Sequence, residues 1–353
     1  MLGAADAGRD ELLLTRQKQE GSPQVASHER LDVGFLMDPL EQVLVHHDTT
    51  FALMLATQAR GHRVLCFEQR QLFYAEGRAA AHAREVEVQP IQGAHFRVVG
   101  NRTLGLGELD VLWLRKDPPV DAAFLHATQL VEASQRSPLF VNAPAALRGA
   151  SEHLWALRFP DLSPPTLVSS HVAELRAFVD AAPAGAVLKP VEGHGGEGVV
   201  LLHRGDRNTA ALLELYTRAG TEWAMLQHYL PEARVGDKRI LVLEGEPLGA
   251  VLRVPREDDH RGNMAAGGTP VRAPLTARDR ALCERLAPHL RAEGLHFVGL
   301  DVIGDWLTEV NVTSPTGLVE VAKLDGTPLA DRVVASVERL AREHPGASPS
   351  KAG

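Results

Sequence analysis

Residues 299–315 read GLDVIGDWLTEVNVTSP. Leu300, Val302, Val310 and Val312 alternate with Asp301, Glu309 and Asn311, the period-2 pattern of a strand pair with one apolar face. Glu309 and Asn311 are two apart on one strand and so share a face. Whether Asp301 joins them depends on the turn. A two-residue loop at Gly304-Asp305 would pair Asp301 with Thr308 and send Glu309 to the other face. A three-residue loop, Gly304 to Trp306, would pair Asp301 with Glu309. Only odd-length closure leaves the apolar residues together on one face, and burial favours it, so we predict a three-residue turn. Asp301, Glu309 and Asn311 then converge as hard oxygen donors of the kind Mg²⁺ prefers, completed by phosphate oxygens and water. A solvated outer sheet face would account for any pair of them, though less easily for all three.

A second stretch asks for the same chemistry. VEGHGGEGV at 191–199 follows the apolar strand AVLKP and precedes VVLL. Glycines let backbone N–H groups surround phosphate oxygens. The loop lacks the GK[ST] of a P-loop, and a strand, not a helix, follows it, which excludes a dinucleotide fingerprint. Alone it would be a plain hairpin turn. Lys189 beside it tips the reading toward a phosphate site. Arginines form a third set: Arg115 at the end of a strand, Arg239 and Arg253 inside apolar strands, Arg261 in a polar loop. Arg239 and Arg253 could face solvent, or they could offer bidentate contacts to carboxylates and phosphates.

Around these stretches the chain divides into parts. LDVGFLM, RVLCFE, LDVLWLRKDPP and PLFVNAP read as strands, and a helix runs from Thr49 to Arg60 with Gly61 as its C-cap. This rhythm predicts an open α/β domain with a parallel sheet over residues 31–147. From 148 to 345 the texture changes to α+β. AVLKP and GVVLL form a hairpin-like pair, while WAMLQHYLP, KRILVLEGEPLGAVLRVP and the 299–315 hairpin read as strands of a mostly antiparallel sheet. The polar, glycine-rich segment at about 255–269 is a mobile-loop candidate. TARDRALCERLAPHLRAEGL and LADRVVASVERLAREH are amphipathic helices. Residues 1–30 read as a flexible extension, with a short helix possible at ELLLTRQ.

The 353 residues carry a net charge of −8, with 44% hydrophobic and 23% charged residues. That is ordinary for a globular chain and argues against a nucleic-acid surface. Cys66 and Cys283 have no metal or redox spacing and exclude a disulfide scaffold. No signal-peptide core or membrane-length apolar run is present, so the expectation is a cytoplasmic protein with no membrane partner. Lysine is scarce, which makes its retention at position 189 more pointed.

Loop, lysine, arginines and the Asp…Glu-x-Asn hairpin together resemble the ATP-grasp carboxylate–amine ligases. Within them the match is to the bacterial glutathione synthetase family, carried by FLMDP, RKDPP, VNAP, LKPVEGHGGEG, GDKR, RGNMAAGG and NVTSPTG. The resemblance implies an α/β domain followed by an ATP-grasp fold, with a lid subdomain at about 165–230. It implies phosphorylation of the γ-glutamylcysteine carboxyl by ATP and attack by the glycine amine, with two Mg²⁺ (or Mn²⁺) on Asp301, Glu309 and Asn311. By the same resemblance Lys189, Gly193, Gly195, Gly196 and His153 hold phosphates. Gln227, His228, Tyr229 and Leu230 form the adenine segment, and Asp237 is a ribose or polar contact. Arg239 and Arg253 stabilise the acyl phosphate and the oxyanion, and Arg261 rides on the closing loop. Arg115, Asp48, Thr313 and Ser314 bind the acid substrate. A homotetramer or homodimer is implied. Two departures stand out: His153 occupies the lysine position of an N-E-K-L-like segment, here SEHL, and His194 and Glu197 alter the glycine loop. A related ligase for another γ-glutamyl or peptide-like acid, or a non-catalytic nucleotide-binding relative, are the alternative readings.

Overall fold

The computed structural model describes residues 30–346 except Gln135, His194 and His260. The extension expected over residues 1–30 and its short helix therefore lie almost entirely outside the described residues. Among the described residues sixteen strands fall into three sheets. The first contains β1 (Asp32–Met37), β2 (Arg63–Phe67), β3 (Leu72–Ala75), β4 (Arg78–Val88), β5 (Phe96–Gly105), β6 (Val111–Arg115) and β7 (Leu139–Val141). β2, β1, β6 and β7 lie side by side and parallel, as the strand–helix rhythm predicts. β1 is buried at every position, which suits a central strand covered on both faces. The sheet does not stop there. β4 pairs antiparallel with β2, β3 and β5, making the sheet mixed. That extension was hidden because β4 begins RAAAHA, and alanine is a poor strand signal. Helix α1 (Thr49–Ala59) starts where Asp48 accepts a hydrogen bond from the Phe51 N–H, and ends at Gly61 with φ of +86°. Helix α2 (Ala122–Glu132) and the short α3 (Pro144–Gly149) complete this half.

The second sheet has the order β10-β9-β11-β8: β8 (Thr166–Ser169), β9 (Ala186–Pro190), β10 (Val200–Leu202) and β11 (Ala224–His228). The β9–β10 pairing confirms the hairpin read around the glycine loop. WAMLQHYLP, expected beside the later strands, instead supplies β11 here, between β9 and β8. Leu188, Leu202 and Leu226 form the core with Leu175 and Val179 of α4 (Val172–Ala181) and Leu213 of α5 (Thr209–Tyr216).

The third sheet is antiparallel throughout, in the order β14-β13-β12-β15-β16: β12 (Asp237–Leu243), β13 (Glu246–Val254), β14 (Thr269–Arg272), β15 (Phe297–Ile303) and β16 (Trp306–Asn311). α6 (Ala277–Ala292) packs on it, and α7 (Leu318–Asp325) and α8 (Leu329–Glu343) close the chain. No helix among the described residues is long and apolar enough to cross a membrane.

Two apolar clusters run without a break from the first sheet to the third. Trp113 of β6 meets Phe297 of β15 edge-on, with ring centroids 6.5 Å apart. Such aromatic pairs add about 0.5–1.5 kcal/mol beyond their burial. Asn142, just after β7, donates to the Phe297 and Val312 carbonyls (2.8 and 2.7 Å) and accepts from the Phe297 N–H (2.8 Å). One amide thus ties the first sheet to both strands of the 299–315 hairpin. α8 is fastened elsewhere. Its buried Glu338 takes both arms of Arg60 (2.6 and 2.7 Å) and His62 Nε2 at 2.5 Å. The Leu31 N–H donates to His62 Nδ1, so Nε2 carries the ring proton.

Burial pushes the Glu338 carboxyl up, but Arg60 and His62 outweigh it and bring it from 4.5 down to about 2. A carboxyl lowered by folding stabilises the fold above its ordinary value and loses that contribution as pH falls toward the lowered one. Glu338→Gln should therefore lower the denaturant midpoint at neutral pH. The gap from wild type should narrow below pH 4.5 and close near pH 2. A constant gap across that range would show that the charge is not what matters.

Candidate functional site

The site begins with the register of β15 and β16. Gly299 pairs with Asn311, Leu300 with Val310, and Asp301 with Glu309, as the apolar pattern demands. The turn, however, is not the predicted three-residue one. Ile303 pairs with Trp306 across a two-residue turn, Gly304-Asp305, with Gly304 at φ of +59°. The register shifts between Asp301 and Val302, where Thr308 is the extra residue. Its hydroxyl donates to the Asp301 carbonyl at 3.1 Å. A β-bulge, not the turn, corrects the parity. It has the same effect as an odd loop, because one unpaired residue on either side of a strand pair flips every later side chain.

The neighbouring strands extend this polar row. Arg239 of β12 pairs directly with Asp301, and Asp237 pairs with Arg253 of β13. Asp237, Arg239, Asp301, Glu309 and Arg253 therefore share one face. Arg239 and Arg253 are 5% and 2% exposed, which rules out the solvent-facing alternative. Arg239 grips Asp301 with two arms, one at 2.9 Å. Arg253 reaches Asp301 at 2.8 Å and also bonds Asp237. Gly299 makes room for this. A Cβ there would stand 2.9 Å from the Arg239 Cδ and 3.2 Å from its Nε.

Glu309 is held from the other side. Its Oε1 lies 3.1 Å from His153 Nε2 and 3.4 Å from Lys189 Nζ. Burial pushes its carboxyl up, but Lys189, His153 and Arg253 outweigh that and hold it well below the carboxylate range. His153 Nδ1 faces the Val191 carbonyl at 3.2 Å. Both ring nitrogens thus face oxygen atoms of the protein. Asp237 shows the opposite balance: burial raises its carboxyl to about 7 despite Arg253, with Asp301 and Glu309 adding to the rise.

Of these groups Lys189, Asp237 and Glu309 line a solvent-open cleft of about 660 Å³ between the second and third sheets. Lys189, Gln227, His228, Tyr229, Leu230, Asp237, Arg261 and Glu309 all face it, with Pro164, Val187, Val199 and Ile303 as apolar walls. The N–H groups of His228 and Tyr229 are already bonded to the Pro165 and Gly185 carbonyls, both at 2.9 Å. Arg261 donates to the Gly196 carbonyl at 3.0 Å, so the 255–269 segment touches the glycine loop. Gly196 has φ of +83°, and a Cβ there would stand 2.6 Å from Asn263 Oδ1. Gly193 and Gly195 lie on the same loop, near Pro190 and at φ of +61° respectively.

Among the described residues no three His, Cys, Asp or Glu side chains are grouped as a metal centre. The candidate donors are two carboxylates and an amide on paired strands. A carboxylate offers about four lone-pair sites, and the arginines use three contacts on Asp301, so the donor set still accommodates a hard cation.

The residues expected on the substrate side lie near the far end of β6. Arg115, 3% exposed, donates to Thr50 Oγ1 at 3.0 Å and to the Pro315 carbonyl at 3.1 Å. Burial lowers its basicity, offset in part by Asp117 and Asp48. Arg115 thus bonds the residue that follows Thr313 and Ser314 in the chain. Asp48 caps α1 with one oxygen. Two residues escaped the sequence reading. Glu152, next to His153, lines a second cavity of about 880 Å³ with Pro118, Pro119 and Glu192, and burial and Glu309 raise its carboxyl to about 7. Its place in SEHL was the available signal. Glu320 is buried in α7 and lies three residues beyond the end of NVTSPTG.

Residues 31–148 match the N-terminal domain of prokaryotic glutathione synthetase, and residues 152–326 match the ATP-grasp domain of prokaryotic glutathione synthetase. The chain belongs to the prokaryotic glutathione synthetase family. It is 50% identical to a glutathione synthetase of Gloeobacter violaceus over 85% of this chain and 94% of that protein. It is 44% identical to one from Thermosynechococcus vestitus, over 86% of this chain and 99% of the relative. Its fold is that of a D-cycloserine synthetase (TM-score 0.61, 15% identity, 87% of this chain and 99% of the other). A RimK-domain ATP-grasp protein from Sphaerobacter thermophilus shares it too (TM-score 0.55, 18% identity, 86% and 98%).

The geometry separates two substitutions at this site. Asp301 is 1% exposed and neutralises two buried guanidiniums, whereas the Glu309 side chain is 20% exposed. Asp301→Asn should cost about 3 kcal/mol or more of folding stability, because it leaves buried cations uncompensated. Glu309→Gln should cost clearly less. Calorimetric unfolding of both variants checks the order, and equal losses would contradict it.

Proposed function

We propose that the chain is an ATP-dependent ligase that joins γ-glutamylcysteine to glycine through an acyl phosphate. The observation that carries this is the row Arg239–Asp301–Glu309, flanked by Arg253, Lys189 and His153 and facing a cleft beside the glycine loop. It concentrates fixed cations where a phosphoryl group would move. Lys189 neutralises nucleotide phosphates beside His153, and backbone N–H groups of Gly193, Gly195 and Gly196 surround their oxygens. Gln227 to Leu230 and Asp237 hold the nucleoside, with Val187 and Ile303 as apolar cover. Asp301, Glu309 and Asn311 would hold magnesium or manganese, which supplies charge neutralisation across the phosphates.

The substrate carboxylate attacks the γ-phosphorus of ATP, and ADP departs with the electron pair of the broken P–O bond. Arg239 and Arg253 lie against the acyl phosphate. The amine of glycine then adds to the carbonyl carbon, and Arg239 and Arg253 stabilise the oxyanion that forms. Phosphate leaves, the nitrogen loses its proton, and the amide remains. Asp301 keeps both guanidiniums aimed and is a positioning residue for them. Arg261 brings the 255–269 segment over the cleft, where water must be kept from the acyl phosphate. Residues 165–230 form the lid on this reading.

Purified protein with Mg-ATP, γ-glutamylcysteine and glycine should release ADP and a tripeptide of glutathione mass in equal amounts. ADP formation only with a different acid would point to a related ligase. Nucleotide binding without turnover on any acid–amine pair would point to a non-catalytic relative. Glu309→Gln should lower kcat at least about 100-fold, the scale of losing a group that acts on transition-state charge. Gly299→Ala, which displaces the Arg239 stem, should lower kcat more than it raises KM for ATP. Activity of either variant near wild type would overturn the assignment of that row.

A further inference from the structure

An ATP-dependent ligase binds a nucleotide, an acid and an amine. Here one cleft suits the nucleotide and the residues near the far end of β6 suit the acid, which leaves the amine without a site. A second and larger cavity, of about 880 Å³, is unassigned. Among the described residues Arg148 is its one basic lining side chain, and Asp121, Glu152 and Glu192 are its acidic ones. Leu125 and Leu147 contribute apolar wall.

Two of these charges are already satisfied. Asp121 caps α2 by accepting from the Phe124 N–H at 2.8 Å, and Glu192 is exposed to water. Arg148 and Glu152 differ from them. Arg148 gives one arm to Glu132, whereas its other terminal nitrogen, Nη1, is buried without a hydrogen-bond partner among the described residues. The Thr313 N–H bonds the Glu152 carboxylate, but no Lys or Arg side chain among the described residues pairs with it. A buried donor and a desolvated carboxylate each bind more strongly to a ligand that supplies the missing partner. The two stand four residues apart at the end of α3. The complementary ligand carries a carboxylate for the guanidinium N–H and an amino group for the carboxylate. An α-amino acid has both on a single carbon.

The location fits the reaction. The Glu152 carbonyl accepts from the Val310 N–H at 3.0 Å, which seats the residue against β16 beside Glu309. His153, the next residue, lies 3.1 Å from Glu309 and 3.2 Å from the Val191 carbonyl. Val191 and Gly193 line the second cavity, whereas Lys189 and Glu309 line the nucleotide cleft. Glu152, His153 and the start of the glycine loop therefore form the wall between the two. An amine held at Glu152 stands across that wall from the nucleotide. It can enter while ADP and the acyl phosphate remain in place.

We propose that Arg148 and Glu152 form the binding site for the amine substrate, a zwitterionic α-amino acid, with Arg148 taking its carboxylate and Glu152 its amino group. This rests on the ligase reading above and adds a selection rule to it. An amine that lacks the carboxylate leaves Arg148 Nη1 buried and unpaired, and is rejected for that reason.

The test compares glycine with glycinamide, which keeps the amine and lacks the carboxylate, and with hydroxylamine, which traps an acyl phosphate as a hydroxamate. Wild type should favour glycine over glycinamide by about tenfold or more in kcat/KM, mainly through KM. Arg148→Gln should raise KM for glycine by about tenfold and bring the two amines to within about threefold of each other. Glu152→Gln should also raise KM for glycine by about tenfold. Both variants should keep KM for ATP, KM for γ-glutamylcysteine and the rate of hydroxamate formation within about threefold of wild type. A loss of hydroxamate formation equal to the loss with glycine would make these residues structural and overturn the site. Equal use of glycine and glycinamide by wild type, or an unchanged KM for glycine in both variants, would overturn it as well. If a variant does not fold, the other variant and the wild-type preference decide. If wild type with ATP, γ-glutamylcysteine and hydroxylamine yields no hydroxamate, the ligase reading fails. Calorimetric binding of glycine and glycinamide then tests the site by itself: tighter binding of glycine supports it, and equal affinity overturns it.

Discussion

Asp301 is 1% exposed and bonds two guanidinium groups from two other strands. The third sheet is organised around that contact. Removing a carboxylate from water is costly unless geometry and extra hydrogen bonds compensate, and Arg239 and Arg253 do so only if β12, β13 and β15 keep their register. A slip of one residue in either pairing would bury three uncompensated charges on an apolar face. The charged row is therefore both the chemistry of the site and a strict specification of strand alignment.

The same face shows why the neighbouring residues have the identities they do. Gly299 is small because the Arg239 stem crosses it. Thr308 occupies the bulge and bonds back to the Asp301 carbonyl. Glu309 meets Lys189 and His153 arriving from outside the sheet. The result is a row of alternating sign, carboxylate against basic group.

The halves of the molecule are positioned by interactions that carry little charge. Asn142 bonds both strands of the 299–315 hairpin, and Trp113 meets Phe297 edge-on. The loop at 313–317 runs between the halves, and arginines from each grip consecutive carbonyls of it.

Local sequence determined a good deal here. The alternation in 299–315 was enough to place Asp301, Glu309 and Asn311 on one face, because burial of Leu300, Val302 and Val310 leaves no other choice. Lys189 beside a glycine loop and the strand signals of β1, β2, β6 and β7 were equally readable, since each depends on neighbours in sequence. The device that enforces the parity was not: a two-residue turn plus a bulge and an odd turn present the same faces, and only cross-strand packing chooses between them. β4 was invisible because its alanines gain strand character from the sheet they join. The burial of Arg239 and Arg253, the placement of His153 against Glu309 and the burial of Glu320 were decided by tertiary structure. Their partners lie tens to hundreds of residues away in the chain, and burial and charge balance are properties of the assembled surroundings, not of the local sequence.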